Sequence, residues 1–442
     1  MPANLLSLRP FRRRFHLPAT FRSLRHYNFR LWFFGQTVSL IGTWMQAMAQ
    51  QVLVYRLTGS AAALGMVNFI ALIPVVPLSL WGGSIADRFP KRTIIILAQV
   101  AMMLQAFILA WLTWTGTVQL WHVYVLALFL GAASAIDLPA RQAFVVDMVE
   151  GKDDLANAIG LNSAMFNMAR AAGPAMAGVL VAATGEGPAF FMNGLTFLAV
   201  MISLMFMRNL PPPSIQRGVK IKTLKHMAEG LSYVRTRQVL IALISLIAIS
   251  AFLSMPYSTL LPVFATDILG DSAKPVIDAI CGGDTPLINC QAPEALPLGI
   301  LFAMVGVGAV CGALFVASRQ GQTGSGKLLT VGNLLFPSLL LLFAFSKSFI
   351  FSLGIMLLIG FSFVLQNALA NTLLQMTTPD ELRGRVMSIY TLTFQIMMRM
   401  GSLQAGFVAE WSGAPFSVAI GAIISLAYGI FVFIRYPKVR RL

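Results

Sequence analysis

The sequence predicts an all-α membrane protein with twelve spanning helices in two pseudo-symmetric six-helix bundles and both termini in the cytoplasm. Three observations support this: twelve long apolar stretches, basic residues gathered on alternate connections, and a glycine pattern of the first half that recurs in the second.

The apolar stretches come first. Of 442 residues, 57% are hydrophobic and 11% charged, where an ordinary soluble chain carries about 25% charged residues. A spanning helix needs roughly 20 mainly apolar residues to cross a ~30 Å hydrocarbon core. Stretches of that kind fall at 31–54, 62–86, 94–114, 119–146, 156–183 and 188–207, then at 240–266, 296–318, 328–345, 349–376, 385–408 and 414–434.

Charge placement gives them a direction. With the N-terminus inside, the cytoplasmic connections hold Arg88, Lys91, Arg92, Lys152, Arg217, Lys220, Lys222, Lys225, Arg319, Lys327, Arg383 and Arg385, whereas the opposite connections hold Arg56, Lys274 and Lys347. Basic residues concentrate on the cytoplasmic side of spanning proteins. The net charge of +16 therefore reports topology in a cell inner (plasma) membrane, and no nucleic-acid partner is expected.

The repeat divides the chain. Gly173, Gly178 and Gly185 recur with the same spacing as Gly401, Gly406 and Gly413, and Asp153-Asp154-Leu155 ahead of them corresponds to Asp380-Glu381-Leu382. Parallel repeats with a site between them are one way transporter folds are built. The expected units are a basic cytoplasmic arm at 1–30, a bundle at 31–207, a cytoplasmic linker at 208–239, a second bundle at 240–434 with an external insert at 267–295, and a cytoplasmic tail at 435–442. The arm, rich in arginine, is read as touching anionic lipid heads. In the linker, Ile221, Leu224, Met227, Leu231 and Val234 have amphipathic-helix spacing. Cys281 and Cys290 flank a short segment of the external insert and are a candidate disulfide, with two free thiols as the alternative. Cys311, in an apolar helix, reads as a buried thiol.

Polar residues inside the apolar stretches locate a candidate cavity. Gln36, Ser39, Thr43, Gln46 and Gln50 step by three and four residues along the first helix and share one face. The eleventh repeats this with Ser388, Thr391, Gln395, Arg399 and Ser402; the fifth offers Ser163, Asn167 and Arg170, and the tenth Asn367 and Asn371. Such stripes either hydrogen-bond helices together or line a wet cavity. A charge at a helix centre costs about 2.5–3.5 kcal/mol even on the insertion scale, so intramembrane ionisable residues point to function. Arg170 and Arg399 lie roughly 20 Å from the cytoplasmic start of their helices, near midplane. Asp137 and Arg141 can pair at i, i+4. On this reading the two midplane arginines attract an anionic part of a small-molecule substrate and Asp137 titrates a proton. The alternative is a structural network that locks one conformation.

Gly82-Gly83-Ser84-Ile85-Ala86-Asp87-Arg88-Phe89-Pro90-Lys91-Arg92 resembles the signature loop of the major facilitator superfamily, and Arg170-Ala171-Ala172-Gly173-Pro174 is similar to the Gly-Pro motif of its antiporters. The stretch Arg25 to Val67, the run Asp137-Leu138-Pro139-Ala140-Arg141-Gln142 and the run Pro379-Asp380-Glu381-Leu382-Arg383-Gly384-Arg385 resemble bacterial exporters of the enterobactin-exporter and macrolide-efflux (drug:proton antiporter-3) branch. The resemblance implies the major facilitator fold and proton-driven efflux of amphipathic, drug-like or siderophore molecules by alternating access. It also implies a conformational latch at Gly83, Asp87, Arg88 and Arg92, with Gly173, Pro174, Arg383 and Arg385 as further gating positions. No arginine stands near Ala127, where many drug/proton antiporters carry one, so any proton coupling must use other groups.

Other classes fit poorly. Gly321-Gln322-Thr323-Gly324-Ser325-Gly326-Lys327 imitates a phosphate loop, but Leu328 stands where a Ser or Thr should bind the metal, so no nucleotide is expected. His16, His26, His122 and His226 are scattered. No metal, cofactor or enzymatic activity is therefore expected. A lysophospholipid transporter and a non-transporting receptor or channel are the rival functions.

Overall fold

A computed structural model describes residues 19–78, 89–210, 223–282, 286–319 and 324–440. After a short 3-10 segment, Ala19–Arg25, the chain runs through α1 (Tyr27–Thr58), α2 (Ala61–Leu78), α3 (Lys91–Trp114), α4 (Leu120–Asp147), α5 (Lys152–Thr184) and α6 (Glu186–Phe206). It continues through α7 (Thr223–Thr236), α8 (Gln238–Ile268), α9 (Gly270–Cys281), α10 (Ala295–Ser318), α11 (Ser325–Ala344), α12 (Phe349–Thr377), α13 (Asp380–Ser412), α14 (Ala414–Arg435) and α15 (Pro437–Arg440).

Among the described residues nine of these helices are long and apolar enough to cross a membrane: α2, α3, α4, α6, α8, α10, α11, α12 and α14. The remaining long ones, α1, α5 and α13, have 32, 33 and 33 residues. They miss that standard because they carry the polar stripes and the buried arginines.

Turn chemistry explains several boundaries. Gly59 ends α1 in the left-handed region at φ 61°, and Ser60 then caps α2 by accepting the Ala63 N–H. Gly185 and Gly413, at equivalent places in the two halves, close α5 and α13 at φ 76° and 87°. α8 is irregular. It holds π-turns at Ser250–Ser254 and Phe264–Ile268, and each releases a carbonyl and re-aims the side chains that follow.

The interior is asymmetric along the bundle axis. At the end holding Gly59, one apolar core runs through all the long helices, from Leu53 and Val181 to Phe264, Leu298 and Ala409. At the opposite end, holding Gly151, two cores are separate. One joins Phe29, Ile95, Phe144 and Leu204; the other joins Leu243, Leu329, Leu373 and Val386. The molecule is therefore knit together at the Gly59 end and divided at the Gly151 end.

Glycines make the joint close. A Cβ on Gly178 of α5 would lie 2.7 Å from the Gly299 Cα of α10, and one on Gly406 of α13 would lie 2.6 Å from the Ala61 carbonyl of α2. Gly173 presses on Ile41 and Trp44 of α1, and Gly401 on Phe252 of α8. Glycines at matching positions of the repeat thus do matching work. Gly306, Gly308 and Gly312 of α10 likewise sit against helix backbones at Ala171, Leu357 and Phe361.

Two straps lie at the Gly151 end. In the first, the Ser23 hydroxyl donates to the Asp154 carbonyl at 2.6 Å. The Asp154 side chain, 1% exposed, receives Arg22 Nε at 2.5 Å, Arg25 Nη2 at 2.6 Å and His26 Nε2 at 2.6 Å. Asp154 precedes the apolar stretch of α5, and hydrogen bonding from His26 together with the charges of Arg22 and Arg25 holds its carboxyl below the usual range. Arg22 and Arg25 of the basic arm both reach this carboxylate while about half of each side chain stays exposed. In the second strap, Arg385 Nη1 of α13 donates to Glu229 of α7 at 2.5 Å, beside Gly230. The helix expected in the linker is α7, with Val234 buried and Leu231 exposed.

Cys281 and Cys290 form a disulfide with Cα atoms 5.5 Å apart. Cys311 is exposed on α10, not buried as its apolar setting led us to expect. Alternation of burial along an apolar helix is invisible to hydropathy when the outer face contacts lipid rather than water.

Candidate substrate cavity and its flanking charges

Arg170 stands on α5 just before the Gly173-Pro174 step. Its guanidinium carbon lies 4.9 Å from the ring centroid of Phe363 on α12, a cation–π arrangement reaching from one six-helix set to the other. The buried Tyr257 of α8 is within electrostatic reach. Both Nε and Nη2 of Arg170 lack a hydrogen-bond partner, as does Nη1 of Arg399 on α13. Among the described residues neither arginine makes an ion pair. Nε and Nη2 share one edge of the guanidinium and form a two-pronged donor suited to a carboxylate. A buried donor without a partner costs about 1–3 kcal/mol, more when charged, so these groups favour an anion or water between the helices.

Asp137 behaves differently. It is buried at 5% exposure, ion-paired with Arg141 one turn along α4, and receives Gln99 Nε2 of α3 at 3.4 Å. Its charge is answered locally.

The polar stripe of α1 divides. Gln46 is taken up by neighbouring helices: its Nε2 donates to Gln105 of α3 at 2.9 Å and its Oε1 accepts from Asn193 of α6 at 2.7 Å, all buried. Gln36 and Ser39 are also buried, Thr43 bonds the Ser39 carbonyl, and Gln50 is half-buried. Asn167 bonds the Ser163 carbonyl of its own helix at 2.9 Å. Asn367 accepts from the Tyr390 hydroxyl at 2.5 Å, joining α12 to α13. Asn371 accepts from Gln375 at 2.6 Å, and Gln395 is half-buried.

Of the latch residues, Gly83, Asp87 and Arg88 lie outside the described residues. Arg92 donates to the Met205 carbonyl at 3.2 Å and Lys91 pairs with Asp147 at 2.8 Å, which ties α3 to α6 and α4. Arg383 pairs with Asp380 in its own first turn. Sequence reasoning passed over Phe363, Tyr257, Gln99, Gln105 and Asn193. The two glutamines and the asparagine were visible as polar residues in apolar helices; the ring and the phenol carried no such signal.

Residues 18–277 and 285–441 match the model of a family described as transmembrane secretion effectors. The chain belongs to that family. Its relatives include the staphyloferrin A transporter of Staphylococcus aureus, 25% identical over 413 residues, covering 91% of this chain and 95% of that one. The enterobactin exporter EntS of Citrobacter koseri is 22% identical over 419 residues, covering 94% and 93%. Macrolide efflux protein A of Streptococcus pyogenes is 22% identical over 247 residues, covering 55% and 61%. Among solved structures, the peptide transporter POT superposes with a TM-score of 0.70 at 12% identity, covering 93% and 95%. An inward-facing bacterial homologue of the human lysosomal transporter Spinster superposes at 0.66 and 13% identity, covering 94% and 98%. The chain is a transmembrane transporter of the major facilitator type.

Proposed function

We propose that this transporter is a proton-coupled exporter of anionic amphipathic molecules, siderophore- or drug-like, working by alternating access. The twelve helices α1–α6, α8 and α10–α14 cross the inner membrane with both termini in the cytoplasm, as two bundles joined by the linker that contains α7. The Gly151 end, where the basic connections gather, faces the cytoplasm, and the conformation is open to that side.

The observation that carries this reading is the unpartnered edge of Arg170, deep at the seam between the bundles, with a second unpartnered donor on Arg399. Membrane proteins turn such charges toward the bundle interior, where they pair or meet water or a ligand, and these two have no paired acid among the described residues. Two guanidinium groups with no acidic partner among the described residues make the cavity electropositive, and the Phe363 ring supplies an apolar surface beside Arg170. Asp137, with Arg141 as its alternate partner, is the group proposed to exchange a proton between α3 and α4. The efflux proteins among its relatives support export.

The test is flux in proteoliposomes under an imposed pH gradient, with catecholate, carboxylate, macrolide and lysolipid candidates. Arg170→Gln and Arg399→Gln should each raise the half-saturating concentration of an anionic substrate at least tenfold, and Arg170→Lys, which keeps charge but loses the fork, should recover only part of it. Normal rate and affinity in both glutamine variants would remove the ligand role. Transport of the lysolipid alone would favour the lipid reading.

A further inference from the structure

The Gly59 end carries a group of titratable side chains that the cavity does not use. Tyr55, in the last turn of α1, donates its hydroxyl to Asp267 Oδ2 at 2.5 Å. Asp267 occupies the second π-turn of α8, which aims it back across the seam, and its Oδ1 accepts from Thr266 at 2.7 Å. Glu410, near the end of α13, accepts from Ser60 Oγ at 2.9 Å and from the Ala62 N–H at 3.2 Å, at the start of α2. Both contacts join the first six-helix set to the second. Tyr55 is bonded to Asp267 and feels the charge of Glu410 more weakly, so both carboxylates lie at the same end of the seam.

The surrounding charges are occupied elsewhere. Arg56 of α1 is held by Glu186 of α6 at 2.8 Å and feels Glu294 ahead of α10. On α9, Lys274 pairs with Asp271 at 2.7 Å and feels Asp278. Among the described residues no cation stands within ion-pair distance of Asp267 or Glu410, and both are exposed to the medium at that end. Backbone bonds from the Gln291 and Ala292 N–H groups to the Ala182 carbonyl, at 2.7 and 3.0 Å, also cross the seam, but the contacts of Asp267 and Glu410 are the ones whose strength depends on a carboxylate charge. A hydrogen bond to an ionised acceptor is roughly twice as strong as a neutral one.

We propose that Asp267 and Glu410 are a proton-binding site of the transport cycle: ionised, they hold the Gly59 end closed through Tyr55 and Ser60; protonated from the medium on that side, they release it. The proposal rests on the alternating-access reading above but not on the identity of the cargo. Each proton taken up weakens one cross-seam contact, worth about fivefold in the open-to-closed ratio and about 25-fold for the pair. On the proposed orientation an acidic exterior then favours the conformation from which cargo leaves.

The test is the distance between spin labels at Thr117→Cys and Lys347→Cys, in a Cys311→Ser chain reconstituted in nanodiscs, followed as the pH is lowered from about 8 to about 4. The long-distance population should rise severalfold on acidification, toward the limit of about 25-fold for release of both contacts. The double variant Asp267→Asn/Glu410→Gln, which keeps an acceptor at both positions without the charge, should show the raised population already at pH 8 and no further rise. Tyr55→Phe should remove about half of the response. A parent chain with no pH response, or a double variant that keeps the parent's response, would overturn the proposal. The readout needs neither substrate nor flux, so a failed cavity assay and a failed gate are separately visible.

Discussion

The glycine joint between α5 and α10 offers a direct perturbation. Adding a methyl group at Gly178→Ala would place a carbon 2.7 Å from the Gly299 Cα, with the Ala295 carbonyl 3.4 Å away. Carbon atoms pack at about 3.5–4.0 Å, so the two helices must part by roughly 1 Å. Their backbones, unlike a side chain, have no rotamer by which to yield. Overpacking of this kind costs about 1–3 kcal/mol. The cost falls on the closed Gly59 end alone, so the variant should shift the equilibrium toward opening there by about fivefold to about 150-fold. The reporter is Ala409→Cys, 7% exposed in this conformation, in a Cys311→Ser background. Its modification rate by a membrane-impermeant maleimide should rise by the same factor. Gly160→Ala, on the same helix with open space around its Cβ position, is the matched control and should change nothing. An unaltered rate in a Gly178→Ala protein that still elutes as a single folded species would refute the claim that this joint closes the molecule.

Two further outcomes follow from other contacts. Gln46→Leu should cost about 1 kcal/mol in thermal unfolding, because Gln105 and Asn193 lose a shared partner, and should leave flux unchanged; bonds between membrane helices average about 0.6 kcal/mol. The carboxyl of Asp154 is held below its unfolded value, so its support of the N-terminal strap is complete above the unfolded value and is lost as pH falls through the folded one. Hydrogen exchange over residues 19–26, corrected for intrinsic rate, should therefore step up in acid, and Asp154→Asn should remove that step.

Much of the architecture was legible in the chain itself because lipid imposes a simple code of length and apolarity. That code weakens where the protein faces itself. α1, α5 and α13 fall below the hydropathy of the other long helices for the reason that makes them interesting, the stripes around Gln46, Arg170 and Arg399. The i, i+4 pairing of Asp137 with Arg141 was also readable, since spacing alone decides it. The destination of Gln46 was not: the same face that holds the stripe also meets α3 and α6, and only packing chooses between a cavity and a neighbour. The repeated glycine spacing marked Gly178 and Gly406 as a matched pair, but gave no hint that each would press on the other bundle. Asp267 and Glu410 sat in unremarkable polar ends of helices, and their partners Tyr55 and Ser60 belong to the opposite half of the sequence.

The shared core at the Gly59 end has one last consequence. Separating the bundles there exposes apolar surface that the opposite end, with its two self-contained cores, never has to expose. Opening that end therefore means wetting a continuous apolar seam, whereas the two halves of the opposite end each keep a dry interior of their own whichever way the molecule rocks.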